Sequence, residues 1–333
     1  SADAPETRGH ALRAPGQEPA SATPSRTEPV AQQTGFTGVW HSSFGSVRLV
    51  QEGTRVHGTY SYSPGATIEG ELDGRLLSGT YFEPDGAGGG TRGRLVFELD
   101  EDGASFHGRW RPDAERVLTL DDRDAQRWRG TRVVPVEGRV WLVILEAHWE
   151  EALDEHEYSY GDMLRAFFER VPSVEVRHRY FHDHADLVRF CGELSTLVEP
   201  VVLYISSHGS RAGLAVGGET IDPAILGAAL RDAGELRLVH LGSCEVMAGD
   251  GAAKIRAASA PHEPFPISGF KVAVDWAGSA IVDFTYLDLV LEGGMEPAKA
   301  VEATRAMLTF AGPPKRDGQP ISGADLVLSA AEE

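Results

Sequence analysis

The chain has 333 residues, 41% of them hydrophobic and 24% charged, which is ordinary for a globular protein and long enough for two cores. The formal net charge of −19 argues against nucleic acid as a partner, because phosphates attract lysine and arginine. The sequence has no apolar run near the ~20 residues that span a bilayer, so we expect no membrane span.

The chain contains two cysteines, Cys191 and Cys244, which provide no disulfide framework. Cys191 lies among Leu187, Phe190 and Leu194 in a helical pattern, so it is predicted to be a buried thiol. A free thiol suits a reducing compartment, which slightly favours a cytoplasmic location without fixing the compartment.

Residues 1–34 are rich in Ala, Pro, Thr, Ser, Gln and Glu and show no hydrophobic periodicity. Such a composition is typical of a disordered leader or linker. We assign no function to this segment.

Residues 35–134 are predicted to form an antiparallel β-barrel module. A Gly-x-aromatic unit recurs along this stretch, ending in Trp40, Tyr60, Tyr81 and Trp110. Alternating segments are separated by close turn signals such as Asp73-Gly74, a pattern that favours an up-and-down barrel. We expect the aromatic side chains to fill its interior.

The start of this stretch, Gly38–Ser46 followed by Gly58–Tyr60, resembles the start of an avidin-type barrel. In that family the serine matching Ser46 and the tyrosine matching Tyr60 bind biotin. The match ends after Tyr60, and the later strands lack the tryptophans of the family. We therefore expect a structural or peptide-recruiting barrel, with a small-ligand-binding barrel as the alternative.

Residues 135–333 are predicted to form an α/β domain with a mainly parallel sheet flanked by helices. The predicted strands are Val140–Glu146, Val174–Tyr180 and Phe270–Trp276, together with the strands of two strand–loop pairs, Val201–Ser210 and Leu236–Val246. The predicted helices are Asp162–Arg170, Asp186–Leu197, one that follows the Asp222 cap with Pro223 at its first position, one capped by Ser279, and Pro297 to about Leu308. Ala248–Ser268 contains three prolines and is predicted to be a long loop, where nicking could activate the protein.

Two of these strands end in small residues that carry one reactive side chain each, His208 and Cys244. The strand–helix–strand connection between them should be a right-handed crossover, which brings both strand ends to one edge of the sheet. A thiolate beside an imidazole base is suited to acyl transfer, and the backbone N–H groups of Gly209 and Cys244 could bind the oxyanion. The alternative is that Cys244 is a core residue and the pairing arises by chance.

The segments Ser206–Ser210 and Leu241–Glu245 resemble the two active-site segments of the caspase-like cysteine peptidases of clan CD, in particular the bacterial CHAT branch with its separase relatives. The resemblance extends from about Val140 to Leu308. It implies a caspase-like fold, His208 as general base, Cys244 as nucleophile, a polypeptide substrate, and neither a cofactor nor a third triad carboxylate. An activating protein partner is a further expectation.

The same resemblance implies that the strand after the catalytic cysteine lines the pocket for the residue before the cut. Asp275 would supply a charge that favours arginine or lysine, and Trp276 a flat wall. Asp275 could equally be a local cap, and Gly242 stands where some relatives carry a carboxylate. We include Ser206 and Gly242 among the candidate substrate contacts.

The histidines His178, His182 and His184 have a spacing that could imitate a metal cluster, but no further ligand set is evident, so no metal site is predicted. We expect them in a solvated loop, like the carboxylates between Glu150 and Glu157. The leading function is thus a cysteine endopeptidase, possibly selective for Arg or Lys. The alternative is a catalytically inactive caspase-like scaffold or a binding protein that recognises its partner through the barrel.

Overall fold

The computed structural model describes residues 35–113, 115–150, 152–260, 264–308 and 325–329. The predicted leader, residues 1–34, lies outside this described part. The division between a barrel module and an α/β domain at residue 134 stays a prediction.

The first part of the described chain is a closed barrel of eight strands, each antiparallel to its neighbours, and β8 pairs with β1 to close it. This topology confirms the predicted up-and-down meander. The strands are β1 Gly38–Ser42, β2 Gly45–Glu52, β3 Arg55–Tyr60, β4 Ala66–Asp73, β5 Leu76–Pro84, β6 Gly90–Leu99, β7 Ser105–Pro112 and β8 Gln126–Arg132.

The aromatic residues of the repeated Gly-x-aromatic units fill the barrel, as predicted. Trp40, Tyr60 and Tyr81 are buried in its core, and Trp110 packs against the core half-buried. Gly93 lies opposite Tyr81 on the next strand, where a Cβ atom would stand 2.5 Å from the Tyr81 ring. The glycine therefore makes room for the ring.

The second part is a six-stranded sheet in the order β10-β9-β11-β15-β16-β17. The first five strands are parallel, whereas β17 is antiparallel to β16, so the sheet is mixed. The strands are β9 Val140–Ala147, β10 Val174–Phe181, β11 Val201–Ser206, β15 Leu236–Gly242, β16 Ile267–Phe270 and β17 Leu326–Ser329.

Helices cover both faces of this sheet, and each face has its own apolar core. One face is covered by α1 Tyr160–Phe168, α5 Trp276–Leu291 and α6 Pro297–Met307, and the other by α2 His184–Glu193, α3 Pro223–Ala229 and α4 Gly251–Ser259. Asp222 caps α3 and Pro223 opens it, as the sequence predicts. Within the described ranges, no helix has both the length and the apolar character needed to cross a bilayer.

Three short strands between β11 and α3 were not predicted: β12 His208–Ser210, β13 Gly213–Val216 and β14 Glu219–Ile221. They form a small antiparallel sheet that turns the chain away from the main sheet immediately after β11. In the predicted strand–loop pair Val201–Ser210, the strand is β11, and the predicted loop contains β12, of which His208 is the first residue.

Two predictions after Cys244 are wrong. The predicted loop Ala248–Ser268 contains α4, because an alanine-rich stretch precedes Pro264 and Pro266 and packs Ile255 into the core. The strand predicted over Phe270–Trp276 is also wrong, because the observed strand β16 ends at Phe270, where the predicted strand begins.

The chain then turns into α5, which Asp275 caps by accepting a hydrogen bond from the Gly278 N–H at 2.9 Å. Ser279, the predicted cap, lies one turn inside this helix, where its hydroxyl donates to the Asp275 carbonyl at 2.8 Å. The cap is thus four residues earlier than the sequence interpretation placed it.

A buried polar network ties α5 to the centre of the sheet. Asp283 accepts one hydrogen bond from the Tyr204 hydroxyl and one from His240 Nε2, both at 2.8 Å. His240 Nδ1 lies 2.8 Å from the Ser268 hydroxyl, and all four side chains are buried. Because β11, β15, β16 and α5 each contribute one residue, the network fixes the position of the helix on the sheet.

We expect Asp283→Ala to lower the free energy of unfolding by about 3 kcal/mol or more, because it leaves a buried hydroxyl and a buried imidazole without their acceptor. Asp288→Ala, a half-exposed carboxylate on the same helix, should change it by less than about 1 kcal/mol. Urea titration followed by circular dichroism measures both. Equal losses in the two variants would contradict the structural role of the network.

Candidate active site

The strands β11 and β15 are parallel neighbours, and their last residues, Ser206 and Gly242, lie opposite each other. One residue further, the Ser207 and Ser243 hydroxyl oxygens are 3.3 Å apart. A Cβ atom on Gly209 would stand 2.8 Å from the Cys244 carbonyl oxygen. The two predicted segments therefore leave the sheet side by side, with His208 exposed and Cys244 half-buried.

The imidazole of His208 is held by Trp149, which sequence reasoning did not single out. Nε2 lies 3.1 Å from the Trp149 carbonyl oxygen, and the two rings pack edge to face with centroids 4.9 Å apart. A carbonyl oxygen only accepts hydrogen bonds, so Nε2 carries the hydrogen and donates it. The neutral ring then keeps its lone pair on Nδ1, the nitrogen that can take a proton.

Trp149 is in turn held by Glu146, a fully buried carboxylate at the end of β9. Five donors converge on this carboxylate: Trp149 Nε1 at 3.0 Å, the Ser159 hydroxyl, the backbone N–H groups of Tyr160 at 2.8 Å and Gly161 at 3.1 Å, and His178 Nε2 at 3.0 Å. Burial by itself would raise the pKa of Glu146, but the bonds from His178, Ser159 and Trp149 outweigh burial and hold this pKa below its ordinary value.

The location of His178 corrects the prediction of a solvated loop. It lies within β10, opposite Ile144 of β9, and its side chain is buried against Glu146. His182 is exposed beside Asp186, and His184 begins α2. Within the described ranges, no group of three or more histidine, cysteine or acidic side chains is placed to hold a metal ion.

The sulfur of Cys244 contacts the segment that connects β16 to α5. The Val274 N–H donates to Sγ at 3.4 Å, and Sγ lies 4.0 Å from the Val274 carbonyl oxygen. Glu245, the next residue, adopts a left-handed backbone conformation with φ of 54°, which is uncommon outside glycine. Among the described residues, the Cys244 thiol makes hydrogen bonds with Val274 and none with His208. The backbones of the His208 and Cys244 segments nevertheless lie side by side.

The four predicted substrate contacts lie in different environments. Asp275 is the cap of α5, the local role that the sequence left open. Trp276 is 42% exposed and packs against Tyr158 and Tyr160. Ser206 is fully buried, and a Cβ atom on Gly242 would stand 2.4 Å from the Tyr204 hydroxyl, so burial does not support substrate contacts by these two residues.

Comparison with solved structures finds a similarity to a caspase. The structure is the crystal structure of caspase-1 from Spodoptera frugiperda, with 10% sequence identity and a TM-score of 0.41. The match covers 58% of this chain and 86% of the caspase chain. No family model and no curated protein sequence matches the chain.

The described carboxylates between Glu150 and Glu157 are mostly exposed, as predicted, and Glu151 lies outside the described residues. Glu150 accepts a hydrogen bond from the Tyr158 N–H at 2.8 Å. This segment directly follows Trp149 in the chain and carries negative charge.

We expect iodoacetamide to alkylate Cys244 and to leave Cys191 unmodified in the folded protein. Burial raises the pKa of the Cys191 thiol to about 12 and closes it to reagent, whereas Cys244 is half-buried at the sheet edge. Mass spectrometry of peptides after timed labelling measures both rates, with urea-unfolded protein as the control in which both cysteines react. Equal, slow labelling of the two folded thiols would contradict an accessible Cys244.

Proposed function

We propose that the protein is a cysteine endopeptidase in which Cys244 is the nucleophile and His208 the general base. The observation that carries this proposal is the adjacency of the two segments at the carboxyl edge of β11 and β15. It is supported by the bond from His208 Nε2 to the Trp149 carbonyl, which leaves Nδ1 as the basic nitrogen. The proposed reaction requires the Cys244 side chain to rotate away from Val274 toward this nitrogen.

In the proposed reaction, Nδ1 of His208 takes the thiol proton and the Cys244 thiolate adds to the carbonyl carbon of the scissile bond. The backbone N–H groups of Gly209 and Cys244 donate to the oxyanion of the tetrahedral intermediate. The intermediate collapses as His208 gives its proton to the leaving amine, and a thioester remains on Cys244. Water, deprotonated by His208, then adds to the thioester and releases the carboxylic acid and the thiol. These residues, the peptide and water supply every proton and every bond that the reaction needs.

Glu146 and Trp149 are positioning residues in this proposal, because they touch His208 or its support and not the substrate. The carboxylate orients the indole, and the backbone carbonyl of the same tryptophan orients the imidazole. Hydrogen bonds of this kind fix a tautomer and a ring angle.

The proposed substrate is a polypeptide with a basic residue before the cut. The half-exposed Trp276 offers a flat wall for a long side chain. Glu150 and the exposed carboxylates that follow it supply negative charge in the segment that directly follows Trp149. This charge attracts arginine and lysine side chains without a buried ion pair.

The second candidate is a scaffold without catalytic activity. It is favoured by the bonds between the Cys244 thiol and Val274, which hold the sulfur in a position that makes no hydrogen bond with His208. A scaffold and an enzyme differ in one measurable property, the cleavage of peptides.

We expect Cys244→Ala and His208→Ala each to reduce cleavage of arginyl and lysyl fluorogenic peptides by at least about a thousandfold, since nucleophile and base act as a unit. Cys191→Ala is the matched control, because it removes the other thiol from the core of the same domain. Its specific activity should stay close to that of the unaltered protein. If no peptide in a broad library is cleaved faster by the unaltered protein than by Cys244→Ala, the peptidase proposal is wrong and the scaffold stands.

We expect Trp149→Phe to lower kcat by about tenfold at nearly constant KM, a part of the ~10²–10⁴-fold that general-base catalysis contributes. The change keeps an aromatic ring beside His208 and removes the N–H that Glu146 holds. Trp141→Phe is the control, because it removes an N–H donated to another carboxylate, Glu199 at 2.8 Å, at the opposite end of β9. Equal kcat values in the two variants would remove Trp149 from the proposed mechanism.

A further inference from the structure

One end of the barrel contains a cavity of about 230 Å³, separate from the Cys244 site. It lies where the turns β1–β2, β3–β4 and β5–β6 meet. Its walls are mainly aromatic and include one carboxylate: Phe44, Tyr62, Tyr81, Trp110, Trp128 and Glu83. The predicted peptidase function uses none of these residues.

The rings of this cavity are packed at steep angles around Phe44. Its ring is edge to face with Tyr62 at 5.5 Å and Trp110 at 5.1 Å, and tilted against Trp128 at 4.8 Å between centroids. Rings arranged in this way present π faces as well as edges to the space between them. The faces carry negative electrostatic potential and attract organic cations, most strongly for tryptophan.

Glu83 is the charged residue of the lining, and its Oε1 accepts a hydrogen bond from the Tyr60 hydroxyl at 2.7 Å. A carboxylate has about four acceptor positions, so this single bond leaves capacity for a ligand. The negative field also acts on Tyr81, whose pKa is raised first by burial and then by the charges of Glu83 and Asp113. The site is thus aromatic and electronegative, the combination that selects a cation.

Two of these wall residues carry a buried polar atom that has no hydrogen-bond partner among the described residues. The Tyr81 hydroxyl and the Trp110 indole nitrogen are buried and form no hydrogen bond with any described residue. Tyr81 is 2% exposed, and the two rings touch edge to face at 5.5 Å. A buried donor without an acceptor destabilises the protein, and a ligand that brings an acceptor removes this cost.

We propose that this cavity binds an arginine side chain of a polypeptide. The planar guanidinium stacks on the aromatic walls and donates to Glu83, and a backbone carbonyl of the same residue supplies an acceptor for the unpartnered donors. Arginine suits the aromatic walls because its guanidinium is planar, and it suits Glu83 because its positive charge is permanent. The barrel is then a recognition module that holds a basic segment apart from the site of Cys244 and His208.

The test is a titration of the full chain carrying Cys244→Ala with Nα-acetyl-arginine methylamide, followed by calorimetry and by tryptophan fluorescence, since Trp110 and Trp128 line the cavity. The matched ligand is the citrulline analogue, which has nearly the same shape and no charge. We expect saturable binding of the arginine compound and at least tenfold weaker binding of the citrulline compound. Because no cleavage is measured, the result is independent of the proposed peptidase activity.

The matched variants are Glu83→Gln, which keeps an acceptor for Tyr60, and Glu98→Gln, which removes a half-exposed carboxylate from β6 of the same barrel. Binding of the arginine compound should weaken at least tenfold in the first and stay unchanged in the second. Absence of saturable binding, or equal binding of arginine and citrulline compounds, overturns the proposal. The ligand comparison uses the unaltered cavity, so it decides the question even if Glu83→Gln fails to fold.

Discussion

The carboxylate of Glu146 connects the two halves of the candidate active site. Through Trp149 it supports His208, as described above. Through the N–H of Tyr160 it fixes the start of α1, and the Tyr160 hydroxyl donates to the Trp276 carbonyl at 2.6 Å and lies 2.8 Å from the Ser279 hydroxyl. These contacts anchor the first turn of α5, close behind the segment whose Val274 holds the Cys244 sulfur. One buried group thus positions both the imidazole and the surroundings of the thiol.

Strand register explains why these distant segments meet. In β9, β11 and β15 the residues Glu146, Ser206 and Gly242 lie side by side in one row. Each of these three strands ends at or within one residue of that row. Trp149, His208 and Cys244 therefore follow neighbouring strand ends. A slip of one residue in either strand pair would turn side chains to the other face of the sheet. The arrangement of Trp149, His208 and Cys244 therefore depends on the apolar packing of the strands below them.

How far the sequence predicts this arrangement depends on the range of the interactions. Strands buried on both faces are short apolar runs, so β9, β11 and β15 were predictable, and with them the adjacency of the His208 and Cys244 segments. The stretch after Cys244 was misread because Phe270–Trp276 contains a strand-like alternation. The strand ends at Phe270, and Asp275 then caps the start of α5, a change that the apolar pattern does not encode. The small sheet β12–β14 escaped prediction because each of its strands has only three or four residues.

Glu146 and His178 show a different kind of limit. A carboxylate at the end of an apolar run is a signal by itself, because a buried charge needs several donors. In β10, every second residue from Val174 to His178 is buried. Side chains of a strand alternate with a period of two, so this alternation could have identified His178 as a buried residue. The partners of Glu146 come from α1, β10 and the end of β9, and no local pattern joins these three segments.

Five donors offset the cost of burying the Glu146 charge. Replacement of a buried polar cluster by well-packed apolar residues is often neutral or stabilising. An apolar residue at this position could pack against the indole, yet it could not accept the N–H that sets the indole angle, nor the two backbone N–H groups at the start of α1. The indole that Glu146 holds and the carbonyl that meets His208 belong to the same residue, so the carboxylate is linked to His208 through Trp149.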